Sequence, residues 1–142
     1  SPQREFSDMF NLPYHSVCTT STHDMTPLRN WWKEDPEKTQ RYYNHVLQRI
    51  GEAPDECTAE IVAQIISNHL KTRSMLTIIP LQDWFAMDDS IKRKDIESER
   101  INVPANSTHY WRYRMHITLE QLLQADNLNN KIVSLIKEAG RK

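Results

Sequence analysis

The chain has 142 residues, with 18 Lys and Arg against 19 Asp and Glu and a formal net charge of −1. That length suits one domain, or one piece of a larger one, with a real core. The charge balance leaves no large basic field to hold nucleic acid or an anionic membrane, so neutral partners are expected over polyanions. Only two glycines occur, Gly51 and Gly140, which excludes a Gly-rich phosphate loop.

In chain order, SPQREFSDMFNLPYH carries no amphipathic period and reads as a segment entering a strand from upstream, as in an amputated chain. HSVCTT (15–20) is short, β-branched and bounded by polar residues, which predicts a buried strand. A His-Asp doublet, His23 and Asp24, follows directly, at the carboxyl end of a strand where α/β folds hold reactive groups. Thr26 as cap and Pro27 in the first turn predict a short helix carrying Leu28, Trp31 and Trp32, ending near Asp35. Asp35 and Pro36 repeat the signal. Tyr42, Tyr43, Val46, Leu47 and Ile50 then form one apolar stripe that Gly51 is expected to stop. Beyond EAPDE, the positions Ile61, Val62, Ile65, Ile66, His69 and Leu70 predict another helix.

SMLTIIP (74–80) is a continuous apolar run closed by proline, and predicts a second buried strand. Two such strands separated by helices indicate parallel pairing with the helices packed outside. LQDWFAMDD predicts a turn of helix, and the charged, aperiodic SIKRKDIESERINVPANS an ordered surface loop. Thr118 and Gln121 have the spacing of a capping box. Leu119, Leu122 and Leu123, then Leu128, Ile132, Leu135 and Ile136, predict two closing helices, the last ended by Gly140. Cys18 and Cys57 lie on different elements without metal spacing and are expected as reduced thiols in a cytoplasmic protein. No apolar run approaches the roughly 20 residues needed to cross a bilayer, and nothing resembles a signal peptide, so a soluble protein is expected.

Two strands leave both sheet edges with unpaired backbone groups. The simplest completion is a (β/α)8 TIM barrel to which residues 1–142, as a single segment, supply the last two strands and closing helices. The fold class is α/β, with two parallel strands and a mostly helical remainder.

Three ordered stretches carry a resemblance: VCTTSTHDMTPLRNWWKED, SMLTIIPLQDWFAMD and ERINVPANSTHYWRYRMHITLEQLL. From about Leu12 to the end the chain resembles the carboxyl-terminal part of the 4-α-glucanotransferases, the amylomaltase or disproportionating-enzyme family, glycoside hydrolase family 77. HYWRYR is similar to the branch containing the plant cytosolic enzyme. Ala105 stands where many bacterial members have a glycine, so their acceptor preference is not carried over. The resemblance implies transfer of glucosyl units from maltose or maltooligosaccharides to a glucan acceptor with retention, by a parent protein in the cytoplasm. Retention needs a nucleophilic carboxylate and an acid/base roughly 5 to 5.5 Å apart. In the family both lie on earlier strands, so the rest of the barrel upstream is an implied partner and this segment alone is expected to be inactive; its exposed strand edges predict self-association. Asp24 matches the third carboxylate, which stabilises the transition state, and His23 matches a residue binding the same sugar.

For the other residues two readings stand side by side. Trp31 and Trp32 are expected to pack against the barrel, with sugar stacking as the alternative, and Trp84 and Trp111 are similar. Gln82 and Asp83 either line the site or, for Asp83, cap the following turn. Arg100 and Asn102 match a family pattern near the active centre, or else anchor the loop. Lys92, Arg93 and Lys94 are expected to form a solvated face. His45, His69, His109 and His116 lack ligand spacing, so no metal is proposed and no cofactor is implied. Two other classes compete with this reading. An HD-type metal phosphohydrolase needs its doublet on a helix with companion ligands. A non-enzymatic helical interaction module would use the amphipathic segments.

Overall fold

Val17 pairs with Leu76, Cys18 with Thr77 and Thr19 with Ile78 in a parallel ladder between β1 (Val17–Thr19) and β2 (Leu76–Ile78). The computed structural model describes residues 5–141. The expected strands are there, shortened to the three residue pairs over which both backbones stay extended. Met75 N donates to Tyr14 O at 2.8 Å and the Ser16 and Ser74 hydroxyls meet at 2.8 Å, which fastens the open end of the ladder.

Between the strands run α1 (Leu28–Glu34), α2 (Pro36–His45) and α3 (Ala59–Leu70); after β2 come α4 (Leu81–Phe85), α5 (Leu119–Leu123) and α6 (Asp126–Glu138). Side chains alternate across a strand, so Cys18 and Thr77 share one face. Thr77 reaches the His69 carbonyl of α3. Val17, Leu76 and Ile78 lie on the other face and are 58%, 49% and 58% exposed. The expectation of strands buried on both faces therefore fails within this chain, because helices cover one face only.

The core forms where α3 meets its neighbours. Ile61, Val62, Ile65 and Ile66 are buried with Trp32, Phe85, Met87 and Leu128, each large apolar side chain contributing about 1.5–3 kcal/mol of transfer free energy. Thr58 caps α3 by accepting from Ile61 N at 3.2 Å, and Asp35 caps α2 by accepting from Lys38 N at 3.1 Å, with Pro36 in its first turn. The capping box at Thr118 and Gln121 is formed in both directions. Gly140 has a φ of +71° just past α6, which a residue without a Cβ adopts without strain. Leu122 packs on the core, whereas Leu119 and Leu123 are exposed. Cys18 and Cys57 are free and buried, and burial pushes the Cys57 thiol up to about 12.

Two expectations about helix ends are corrected. α2 stops at His45 and does not run to Gly51: Leu47 N bonds to Tyr42 O, Gln48 has a φ of +55°, and Asn44 Nδ2 holds the Arg49 carbonyl at 2.8 Å, turning the chain back on itself. Ile50, expected in the apolar stripe, is consequently 98% exposed. Thr26 does not cap α1, which begins after Pro27 with no side-chain cap of its own; the cap comes from Asp83, described below. Arg93 also departs from the solvated face expected of it. It donates to Ser98 O and Arg114 O and lies 5.3 Å over the Tyr113 ring. Among the described residues no helix is long and apolar enough to cross a membrane.

Candidate functional site at the carboxyl ends of the strands

Beyond Thr19 the chain turns sharply. Thr19 Oγ1 donates to Ser21 O at 2.6 Å, and Met25 N closes a turn onto Thr22 O at 3.0 Å, which puts His23 and Asp24 at its tip. The turn is held from beneath by Asp83, 1% exposed in α4. Its Oδ2 accepts from Thr20 Oγ1 at 2.5 Å and Ser21 Oγ at 3.3 Å, and its Oδ1 from Leu28 N at 2.9 Å. One carboxylate thus ties the end of β1 to the start of α1. Burial raises the Asp83 pKa, and the hydrogen bonds from Thr20, Leu28 and Ser21 pull it down. It caps a helix 55 residues away in sequence and not its own turn.

The doublet itself is half exposed. His23 Nε2 lies 3.2 Å from Asp24 Oδ2, and Asn102 Nδ2 donates to Asp24 Oδ1 at 2.6 Å. Asn102 Oδ1 in turn accepts from Trp111 Nε1 at 3.1 Å, and the Trp111 ring lies 5.2 Å from the His23 ring. The loop that delivers these groups is braced by His109 Nε2 on Ile101 O at 2.9 Å. Trp32 packs in the core, its indole donating to Pro54 O, and Trp31 and Trp84 pack against it. Trp111 is 62% exposed and belongs to this cluster, against the expectation of packing.

Below the doublet a concavity of about 370 Å³ opens between the strand ends and the loop, walled by Val17, Ile78 and Ile101 with His23, Gln82 and Glu99 among its polar members. Gln82 is buried and its amide is committed to the Glu99 carbonyl at 3.1 Å. Arg100 turns toward Glu97, Nη1 to Oε2 3.9 Å. Glu99, which no motif or spacing singles out, is 2% exposed, with Arg93 Nε 3.9 Å from its Oε1. Burial pushes its carboxyl up to about 7 against the pull of Arg29 and Arg93, with Asp83 adding to the rise. Its signal in sequence is only an acid two positions before an apolar residue, common on any surface. Among the described residues no group of three or more His, Cys, Asp or Glu is arranged to hold a metal ion.

A parallel strand pair joined through helices, with a carboxylate, imidazole, amide and indole gathered beyond the strand ends, has the layout of an α/β unit. A family model described as 4-alpha-glucanotransferase, glycoside hydrolase family 77, matches residues 1–120, and the chain belongs to that family. It is 38% identical over 140 residues to the 4-alpha-glucanotransferase DPE2 of Oryza sativa subsp. japonica, covering 99% of this chain and 15% of that protein. It is 31% identical over 123 residues to a 4-alpha-glucanotransferase of Chlamydia trachomatis, covering 84% of this chain and 22% of the relative. In structure it is similar to an amylomaltase from Streptococcus agalactiae in complex with acarbose, with a TM-score of 0.69 and 18% identity over 94% of this chain and 23% of that one. The chain spans less than a quarter of the length of each of these proteins.

Proposed function

We propose that this chain forms the carboxyl-terminal end of a (β/α)8 barrel in a cytoplasmic 4-α-glucanotransferase, which transfers glucosyl units from maltose or maltooligosaccharides to a glucan acceptor with retention. The observation that carries the reading is the Asp24 carboxylate, half exposed at the strand end, hydrogen-bonded to Asn102 and beside His23, in a chain of this family. Each carboxylate oxygen has two lone pairs. Asn102 takes one on Oδ1 and His23 approaches Oδ2, which leaves acceptor capacity for sugar hydroxyls. A fixed negative charge there favours the positively charged, distorted sugar of the transition state more than the ground state, and that difference is what accelerates the reaction. His23 binds the same sugar, while Gln82, Asp83 and Arg100 act by holding the loop and turn that frame it.

The nucleophile and the acid/base belong to earlier strands in this reading, so the segment by itself transfers nothing, and the rest of the barrel covers the bare face of β1 and β2. Two unpaired buried thiols suit a reducing compartment.

The test uses the longest open frame containing this segment, as wild type and as Asp24→Asn, assayed for glucose release and chain extension with maltose and a glucan acceptor. The expected result is transfer by the wild type and a folded variant slower by about 10²-fold or more, roughly 3 kcal/mol of transition-state stabilisation. Equal rates, or no transfer by either, overturn the proposal.

A further inference from the structure

We propose that Trp111 is the positioning residue of the His23-Asp24 doublet, acting through the side-chain amide of Asn102; the functional part of this inference rests on the glucanotransferase reading. An indole Nε1–H can only donate, an ionised carboxylate can only accept, and an amide does one at each end. With Trp111 Nε1 3.1 Å from Asn102 Oδ1 and Asn102 Nδ2 2.6 Å from Asp24 Oδ1, the relay runs in one direction, from indole to amide to carboxylate. A rotated amide would set N–H against N–H at one end and oxygen against oxygen at the other. The indole therefore selects the amide orientation that presents a donor to Asp24.

Trp111 acts on the second member of the doublet as well. Its ring lies 5.2 Å from the His23 ring at an interplanar angle of 54°, close enough to restrict how the imidazole swings while its Nε2 stays 3.2 Å from Asp24 Oδ2. Both carboxylate oxygens are thereby approached by groups that one exposed tryptophan orients. A carboxylate free to rotate about its χ angles must be ordered again in every transition state, whereas one already held in place costs no such reorganisation. Exposure fits this role: a tryptophan 62% exposed contributes little to core packing, so its removal leaves the fold standing.

The test compares the wild type, Trp111→Phe, Asn102→Ala and the double variant in the full-length protein. Trp111→Phe keeps an aromatic ring facing His23 and removes the N–H. The expected result is a roughly tenfold lower kcat with KM within about twofold, the size of one charge-assisted hydrogen bond, and no further loss when Trp111→Phe is added to Asn102→Ala. An unchanged kcat, a loss confined to KM, or fold-losses that multiply in the double variant would overturn the relay. Crystal structures of wild type and Trp111→Phe provide a readout that does not need activity. Loss of the Asn102 contact to Asp24 in the variant supports the relay, and its retention overturns it. If the wild type transfers no glucosyl unit, the glucanotransferase reading fails, and the two structures still decide whether Trp111 orients Asp24.

Discussion

The Asp83 carboxylate accepts the backbone N–H of Leu28 at 2.9 Å, across 55 residues of sequence, and so serves as the N-terminal cap of α1. Because the same carboxylate holds the hydroxyls of Thr20 and Ser21, it ties the strand end, the helix start and α4 together beneath the doublet. Asp83→Ala leaves three donors, two of them on buried residues, without their acceptor and is expected to cost about 3 kcal/mol. Asp83→Asn keeps an oxygen for Leu28 N, and the two hydroxyls can rotate to meet the amide, so its cost should be near 1 kcal/mol. Urea unfolding of the two variants checks the order, and equal losses would show that the charge, not the geometry, is what matters.

Glu99 should make stability depend on pH with an unusual sign. Its folded pKa of about 7 lies above the ordinary 4.5, so between those values the folded chain binds more protons than the unfolded one. Stability from this group is therefore full below about pH 4.5 and is lost as pH rises toward 7, with a slope of at most about 1.4 kcal/mol per pH unit. His69, whose pKa burial lowers, works in the opposite direction. The difference between wild type and Glu99→Gln isolates the Glu99 part: the urea midpoints of the two should diverge as pH rises through this window, the variant becoming the relatively more stable protein.

Arg141 closes the chain onto the α3–β2 connection. Its guanidinium donates to the carbonyls of Leu70 at 2.6 Å, Ser74 at 2.8 Å and Thr72 at 3.0 Å. Removing it in Arg141→Ala is expected to cost about 2 kcal/mol and to speed amide exchange at the end of α6. Arg141→Lys should recover less than half of that, because an ammonium presents its donors from one point and cannot span carbonyls that a planar fork reaches together. Thermal midpoints with hydrogen exchange measure both effects.

The bare face of the sheet predicts how the isolated chain behaves. Val17, Leu76 and Ile78 together expose an apolar surface beside unpaired strand edges, a template for pairing with another copy. The 142-residue chain alone should sediment as oligomers, and Leu76→Lys with Ile78→Lys should shift it toward monomer. A wild-type chain that stays monomeric at high concentration would count against this.

What the sequence determined by itself is local and periodic. The α3 stripe from Ile61 to Leu70, the Asp35-Pro36 start of α2 and the capping box at Thr118 follow from interactions within a few residues or from one repeat, and the parallel pairing of the two β-branched runs from the helices that separate them in the chain. The position of His23 and Asp24 just past a strand followed in the same way. The tertiary structure alone decided how that doublet is held. Asn102 reaches Asp24 across 78 positions, Asp83 reaches back to cap α1, and Glu99 is buried within a run of charges that reads as surface. Such contacts leave no period in the sequence. They depend on where a long, irregular loop settles, and that is set by the sum of hydrogen bonds such as His109 to Ile101 and Arg93 to Ser98, none of which has a local signature. The early end of α2 has the same origin: the side chains of Asn44 and Arg49 found partners in the turn and in α3 that outweighed another turn of helix.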